Sequence, residues 1–126
     1  PRCRSSAASD VYKIQVLNQG TLDGKRILAP ATLATMTKVH TGDLAAAFTA
    51  GLGFGYGWGV VRTPTGVTAM LSPGSFGHGG AFGTQGWMDP SKDLFMVLLI
   101  QRSGLPNGDN SDMRRELQSL AVAALE

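Results

Sequence analysis

The chain has 126 residues, of which 43% are hydrophobic and 16% charged, and a formal net charge of +2; this is one domain's worth of ordinary globular composition, able to bury roughly two thirds of its unfolded surface. Those fractions argue against a disordered segment and against a dedicated polyanion binder, and its lysines and arginines are scattered with no basic patch. Cys3 is the single cysteine, so no internal disulfide forms and the compartment stays open, and no apolar stretch approaches the roughly 20 residues that cross a bilayer.

The elements follow in chain order. Ser9-Asp10 can cap a helix whose apolar face is Val11, Ile14, Val16 and Leu17, and Asn18-Gln19-Gly20 ends it. Thr21 to Lys25 reads as a turn around Asp23-Gly24. Pro30 opens a second short helix with Ala31, Leu33, Ala34 and Met36. His40 follows that helix, beside Thr41-Gly42, and is expected to serve its C-terminal cap region. Residues 51 to 59 alternate Gly with Leu52, Phe54, Tyr56 and Trp58, a period of two that predicts a strand with one bare face. Val60-Val61-Arg62, the turn Thr63-Pro64-Thr65-Gly66, and Val67 to Leu71 predict a hairpin.

Gly77, Gly79, Gly80 and Gly83 surround His78, and glycine inside a strand pattern marks a place where a ligand or another backbone comes close. The strand around His78 is therefore a candidate cleft wall. Thr84 to Met88 is expected to pair antiparallel with its neighbours across the turn Asp89-Pro90-Ser91-Lys92-Asp93, and residues 94 to 100 are uniformly apolar, which predicts a central strand buried on both faces. Residues 103 to 110 read as a loop. Ser111-Asp112 then caps a terminal helix with Met113, Leu117, Leu120, Ala121, Ala124 and Leu125 along one side. The expected class is α+β: an antiparallel sheet of about three to five strands, one or two N-terminal helices and a C-terminal helix.

This succession, with Asn18-Gln19-Gly20, Leu22-Asp23-Gly24-Lys25-Arg26, Tyr56-Gly57-Trp58-Gly59, Gly77-His78-Gly79-Gly80 and Gly83-Thr84-Gln85-Gly86-Trp87-Met88-Asp89-Pro90, resembles the C-terminal portion of the serine β-lactamase-like superfamily. That group includes class C β-lactamases, DD-peptidases and β-lactamase-like esterases. The resemblance covers residues 9–126 as part of one β-lactamase-like domain, whereas residues 1–8 match poorly. It implies a partial β-lactamase/transpeptidase-like fold. The third active-site motif of the family, Lys-Thr-Gly in many β-lactamases and a Gly-Gly variant in relatives, falls on His78-Gly79-Gly80, with glycine at the middle position. By the same resemblance Ala81 would give a backbone N–H to the oxyanion hole.

The nucleophile of such a site is missing. No Ser stands three residues before any lysine; Thr35-Met36-Thr37-Lys38 has the spacing with Thr alone, and Tyr-x-Asn is absent. Acyl transfer needs an activated hydroxyl with a base in reach. Because the chain has no initiating Met and no signal peptide, it is expected to begin mid-protein or to have been processed. Three functions fit: part of a serine hydrolase of an ester or lactam, inactive alone; a non-catalytic, oligomeric remnant or binding module; or one half of a split enzyme. The bland reading of His78 is a satisfied histidine in a glycine-rich strand. His40 and His78, 38 positions apart and without further ligands, give no expectation of a metal, and no cofactor is implied. A small ester or lactam would be bound only with the missing half supplied; neither nucleic acid nor membrane is expected as a partner. An apolar edge at residues 94 to 100 and the exposed terminal helix predict a homo-oligomer.

Overall fold

The computed structural model describes residues 15–44, 49–104 and 110–125. Helical residues 15–17 end in the turn 18–20; the start expected at Ser9-Asp10 lies outside the described residues. A two-stranded ribbon follows, β1 (Thr21–Leu22) and β2 (Lys25–Arg26), with Leu22 opposite Lys25. Its turn residues Asp23 and Gly24 both take positive φ, 47° and 78°. That is the geometry whose twist suits a two-residue hairpin, and Asp-Gly tolerates it. Helix α1 (Pro30–Met36) starts on Pro30, whose missing N–H costs nothing in a first turn.

Among the described residues the main sheet has five antiparallel strands in sequence order: β3 (Leu52–Phe54), β4 (Gly59–Val61), β5 (Phe76–Gly79), β6 (Gln85–Asp89) and β7 (Leu94–Leu98). Alternation along the strands sorts two cores onto its faces. Trp58, Val60, Phe76 and Met88 join Val16 and Leu33 on one face. Leu52, Val61, Trp87 and Met96 join Leu71 on the other, where α2 (Asp112–Ala123) packs through Ala121. Ser111 caps α2 by accepting the Arg114 N–H at 3.4 Å.

Four expectations are corrected. Residues 51–59 form a tight hairpin rather than one strand: Gly55 N–H donates to Trp58 O at 2.9 Å, and a side chain on Gly55 would stand 2.2 Å from Met36 O. The chain turns there because α1 comes so close. Val67 is not on a strand but in a 3-10 turn, Gly66–Thr68, closed by the Thr68 hydroxyl, which accepts from Thr65 N–H at 3.3 Å and donates to Thr65 O at 2.9 Å. Among the described residues the apolar run at 94 to 100 is paired only to residue 98 and lies last in the sheet order; of the run Met96 alone is buried, and Leu99 is 66% exposed. Apolar content marked a strand there, but burial on both flanks needs a strand on each side. Finally, α2 buries Arg114 and Gln118, at 1% exposure each, while Leu120 is 70% exposed.

Candidate active site strand

The hairpin of β5 and β6 sets the site. His78 stands opposite Gly86 and Gly79 opposite Gln85. Gly77 permits this close pairing, because a Cβ there would sit 2.2 Å from Gly86 O and 2.7 Å from Trp87 Cδ2. On the other flank, β4 pairs with β5 only as far as Gly59 opposite Gly77. From His78 onward that edge of β5 has no strand partner among the described residues. The strand then turns through Gly80, whose N–H donates to Thr84 O at 2.7 Å, and Gly83, whose N–H donates to Gly80 O at 2.9 Å.

His78 is exposed. Its ring meets Phe54 edge to face at 5.9 Å. Its Nδ1 lies 2.6 Å from Gly79 O, a group that only accepts, so in the neutral ring Nδ1 carries the proton and Nε2 keeps its lone pair. Ala81 is also exposed, and among the described residues its N–H donates to no protein acceptor. The structure thus brings His78, Gly79, Gly80 and Ala81 together on one open strand end. The cavity that reaches His78, between β3, β5 and α2, holds only about 20 Å³, room for about one water. A larger groove of about 450 Å³ lies on the opposite face, lined by Val16, Leu33, Phe76 and Pro90.

A Ser–Lys contact does occur elsewhere. Lys92 Nζ donates to Ser72 Oγ at 2.6 Å and to Asp89 Oδ2 at 3.1 Å. Here the lysine is a donor held by a carboxylate, at the far end of β6 from His78, and the cluster locks a turn. Asp89, with no exposed surface, accepts from the backbone N–H of Ser72 (2.8 Å), Ser91 (3.1 Å) and Lys92 (3.3 Å). Burial pushes its carboxyl pKa up, yet the Ser72 backbone N–H, Lys92 and the Ser72 hydroxyl together bring it below the usual value of 3.8. The sequence pattern gave Asp89 only as a turn residue. His40 does cap α1: its Nε2 lies 2.8 Å from Thr35 O, while its ring stacks on Tyr56 at 4.2 Å, a contact no spacing rule suggested. Among the described residues no three potential metal ligands cluster, and no helix is long and apolar enough to cross a membrane.

The chain shares this hairpin and sheet with known proteins. A family model described as Beta-lactamase matches residues 5–121. Protein Rv1367c of Mycobacterium tuberculosis is 35% identical over a stretch covering 76% of this chain and 27% of that protein. Thus the chain spans about a quarter of the length of the curated relatives it matches. Among solved structures, EstCE1, a hydrolase with promiscuous acyltransferase activity, superposes with a TM-score of 0.64 at 26% identity, over 91% of this chain and 28% of its own. A β-lactamase from Mycobacterium bovis gives a TM-score of 0.69 at 21% identity, over 90% and 42%. A penicillin-binding protein homolog from Caulobacter crescentus gives 0.63 at 21%, over 87% and 28%. The last two share the fold. With most of its length matched by the family model, this chain belongs to the β-lactamase family.

Proposed function

We propose that the chain supplies the third-motif strand of a serine hydrolase site that acts on an ester or a lactam, and that it is not catalytic alone. The observation that carries the reading is the open end of β5: His78 is exposed and, among the described residues, the strand edge is unpaired beyond Gly77 and the Ala81 N–H has no protein acceptor. A carbonyl laid along that edge meets the Ala81 N–H, and one such donor aimed at a developing oxyanion is typically worth about 10²–10³ in rate. The exposed His78 ring, with Nδ1 committed to Gly79 O, sets the electrostatics where a nucleophile would stand. The nucleophile and its base come from residues other than these 126, since no Ser-x-x-Lys occurs in them.

The test compares two proteins. The 126 residues alone are expected to hydrolyse neither a chromogenic cephalosporin nor a short-chain aryl ester above background. A longer chain from the same reading frame, if it carries Ser-x-x-Lys, is expected to turn over one of them, and His78→Ala is expected to lower kcat/KM by about 10²-fold. Labelling of a Ser or Thr of the 126-residue chain by a fluorophosphonate or a penicillin, located by mass spectrometry, would overturn the proposal.

A further inference from the structure

Next to the β5 edge lies a strip of rings of which the hydrolase reading uses only His78. Tyr56 is 57% exposed and lies flat on His40, with centroids 4.2 Å apart and planes 3° from parallel. The stack is held from behind by backbone. Tyr56 N–H donates to Met36 O at 2.9 Å, His40 N–H to Phe54 O at 2.8 Å, and Phe54 N–H to Thr41 Oγ1 at 3.0 Å. The His40 ring is fixed in turn by Thr35 O. One face of the phenol ring is therefore covered by an imidazole and the rest is open to solvent. Phe54 stands two residues away, about 7 Å along the chain, and its ring contacts His78. Residues 54 to 56 thus link the Tyr56–His40 stack, through Phe54, to the His78 ring on the motif strand.

An exposed ring that is ordered before a ligand arrives loses little freedom on binding, and its open face favours another planar ring in offset or edge contact. We infer that Tyr56, braced by His40, is an aryl-binding subsite that gives the site a preference for substrates with an aromatic ring a few bonds from the scissile carbonyl. This rests on the hydrolase reading for its position beside the reacting carbonyl. Tyr56 is here a specificity-determining residue.

The subsite can be tested without turnover by titrating the 126-residue protein with unreactive amides and following ring and amide resonances by NMR. N-methylphenylacetamide carries its ring on the acyl side and acetanilide on the leaving side; their cyclohexyl counterparts are the controls. The expected result is a response of the Tyr56 and His40 rings to an aryl amide, several-fold weaker for the cyclohexyl analogue. Tyr56→Phe should retain binding, while Tyr56→Leu and Tyr56→Ala weaken it by about threefold to tenfold. The probe that also moves His78 and the Ala81 amide identifies which side of the carbonyl bears the ring. Binding unchanged in both Tyr56→Leu and Tyr56→Ala, or equal for the cyclohexyl controls, would overturn the subsite. Responses at His78 and Ala81 that persist in those variants would do so while leaving the hydrolase reading intact, and responses at Tyr56 without any at His78 or Ala81 would keep an aryl site but detach it from that reading.

Discussion

Asp89→Asn is the sharpest probe of what holds the site hairpin in register. Asp89 Oδ1 accepts from the Ser91 and Lys92 N–H groups, and Oδ2 from the Ser72 N–H and Lys92 Nζ. Asparagine fills the same volume but has one oxygen, so whichever way it turns its NH₂ faces donors. A buried donor left without an acceptor costs about 1–3 kcal/mol. The Lys92 side chain is 30% exposed, so its lost pairing adds no more than about 1 kcal/mol once water screens it. The sum is about 3 kcal/mol, and at about 4 °C per kcal/mol for a domain of this length the melting midpoint should fall by about 12 °C. The pH profile is a second readout. The folded carboxyl titrates below the usual 3.8 because its hydrogen bonds outrun the cost of burial. Its contribution is therefore fully present above the unfolded-state pKa and is lost as the pH falls through the folded one. The gap between wild type and variant should stay constant from about pH 5 to pH 7 and narrow below about pH 4. Thermal melts followed by circular dichroism across that range decide it; a gap under about 1 kcal/mol at pH 7, or one that widens in acid, would refute the argument.

Two further predictions concern the sheet. Gly77→Ala should cost about 3 kcal/mol in urea unfolding, because the new methyl meets Gly86 O and the Trp87 backbone rather than a movable side-chain end; an unchanged midpoint would mean that β5 and β6 are not so closely apposed. β7 should self-associate: it carries no charge from Leu94 to Ile100, and antiparallel pairing brings the exposed Asp93 of one copy towards the exposed Arg102 of another, while Lys92 is folded back on Asp89. Light scattering at micromolar concentration should give a mass above 13.2 kDa that Leu98→Lys reduces to monomer, and a monodisperse wild-type monomer would sink the idea.

How much of this was legible in the sequence depends on whether the signal is local. The hairpin of β6 and β7 was readable because the Asp89-Pro90 turn and the apolar run that follows it act within a few residues, and so was the Ser111 cap. The glycine-rich run at 51–59 was misread as one strand because its turn is imposed by α1, which approaches from elsewhere in the chain. The third motif was visible as His78-Gly79-Gly80 from resemblance, but the aromatic strip beside it was not, because His40 and Tyr56 meet only through the tertiary fold.

The terminal helix gives the strongest contrast between pattern and packing. Apolar periodicity puts Leu117, Leu120 and Leu125 along one side of it. Instead Arg114 lies over the Trp87 ring at 4.3 Å and its Nε donates to the Gln118 amide at 3.0 Å, with that amide oriented by its partners. An arginine can occupy a core position when its methylene stem packs and its guanidinium meets a ring and an acceptor. Loss of a desolvated cation–ring contact is worth about 2 kcal/mol and an orphaned acceptor about 1 kcal/mol more, so Arg114→Met should lower stability by about 3 kcal/mol. Leu120→Ala, at 70% exposure, should change it by less than about 0.5 kcal/mol. Paired urea titrations at a concentration where the protein is monomeric test both. If Leu120→Ala were the costlier change, the apolar stripe would be the true inner face, and α2 would have to pack the other way round against the sheet.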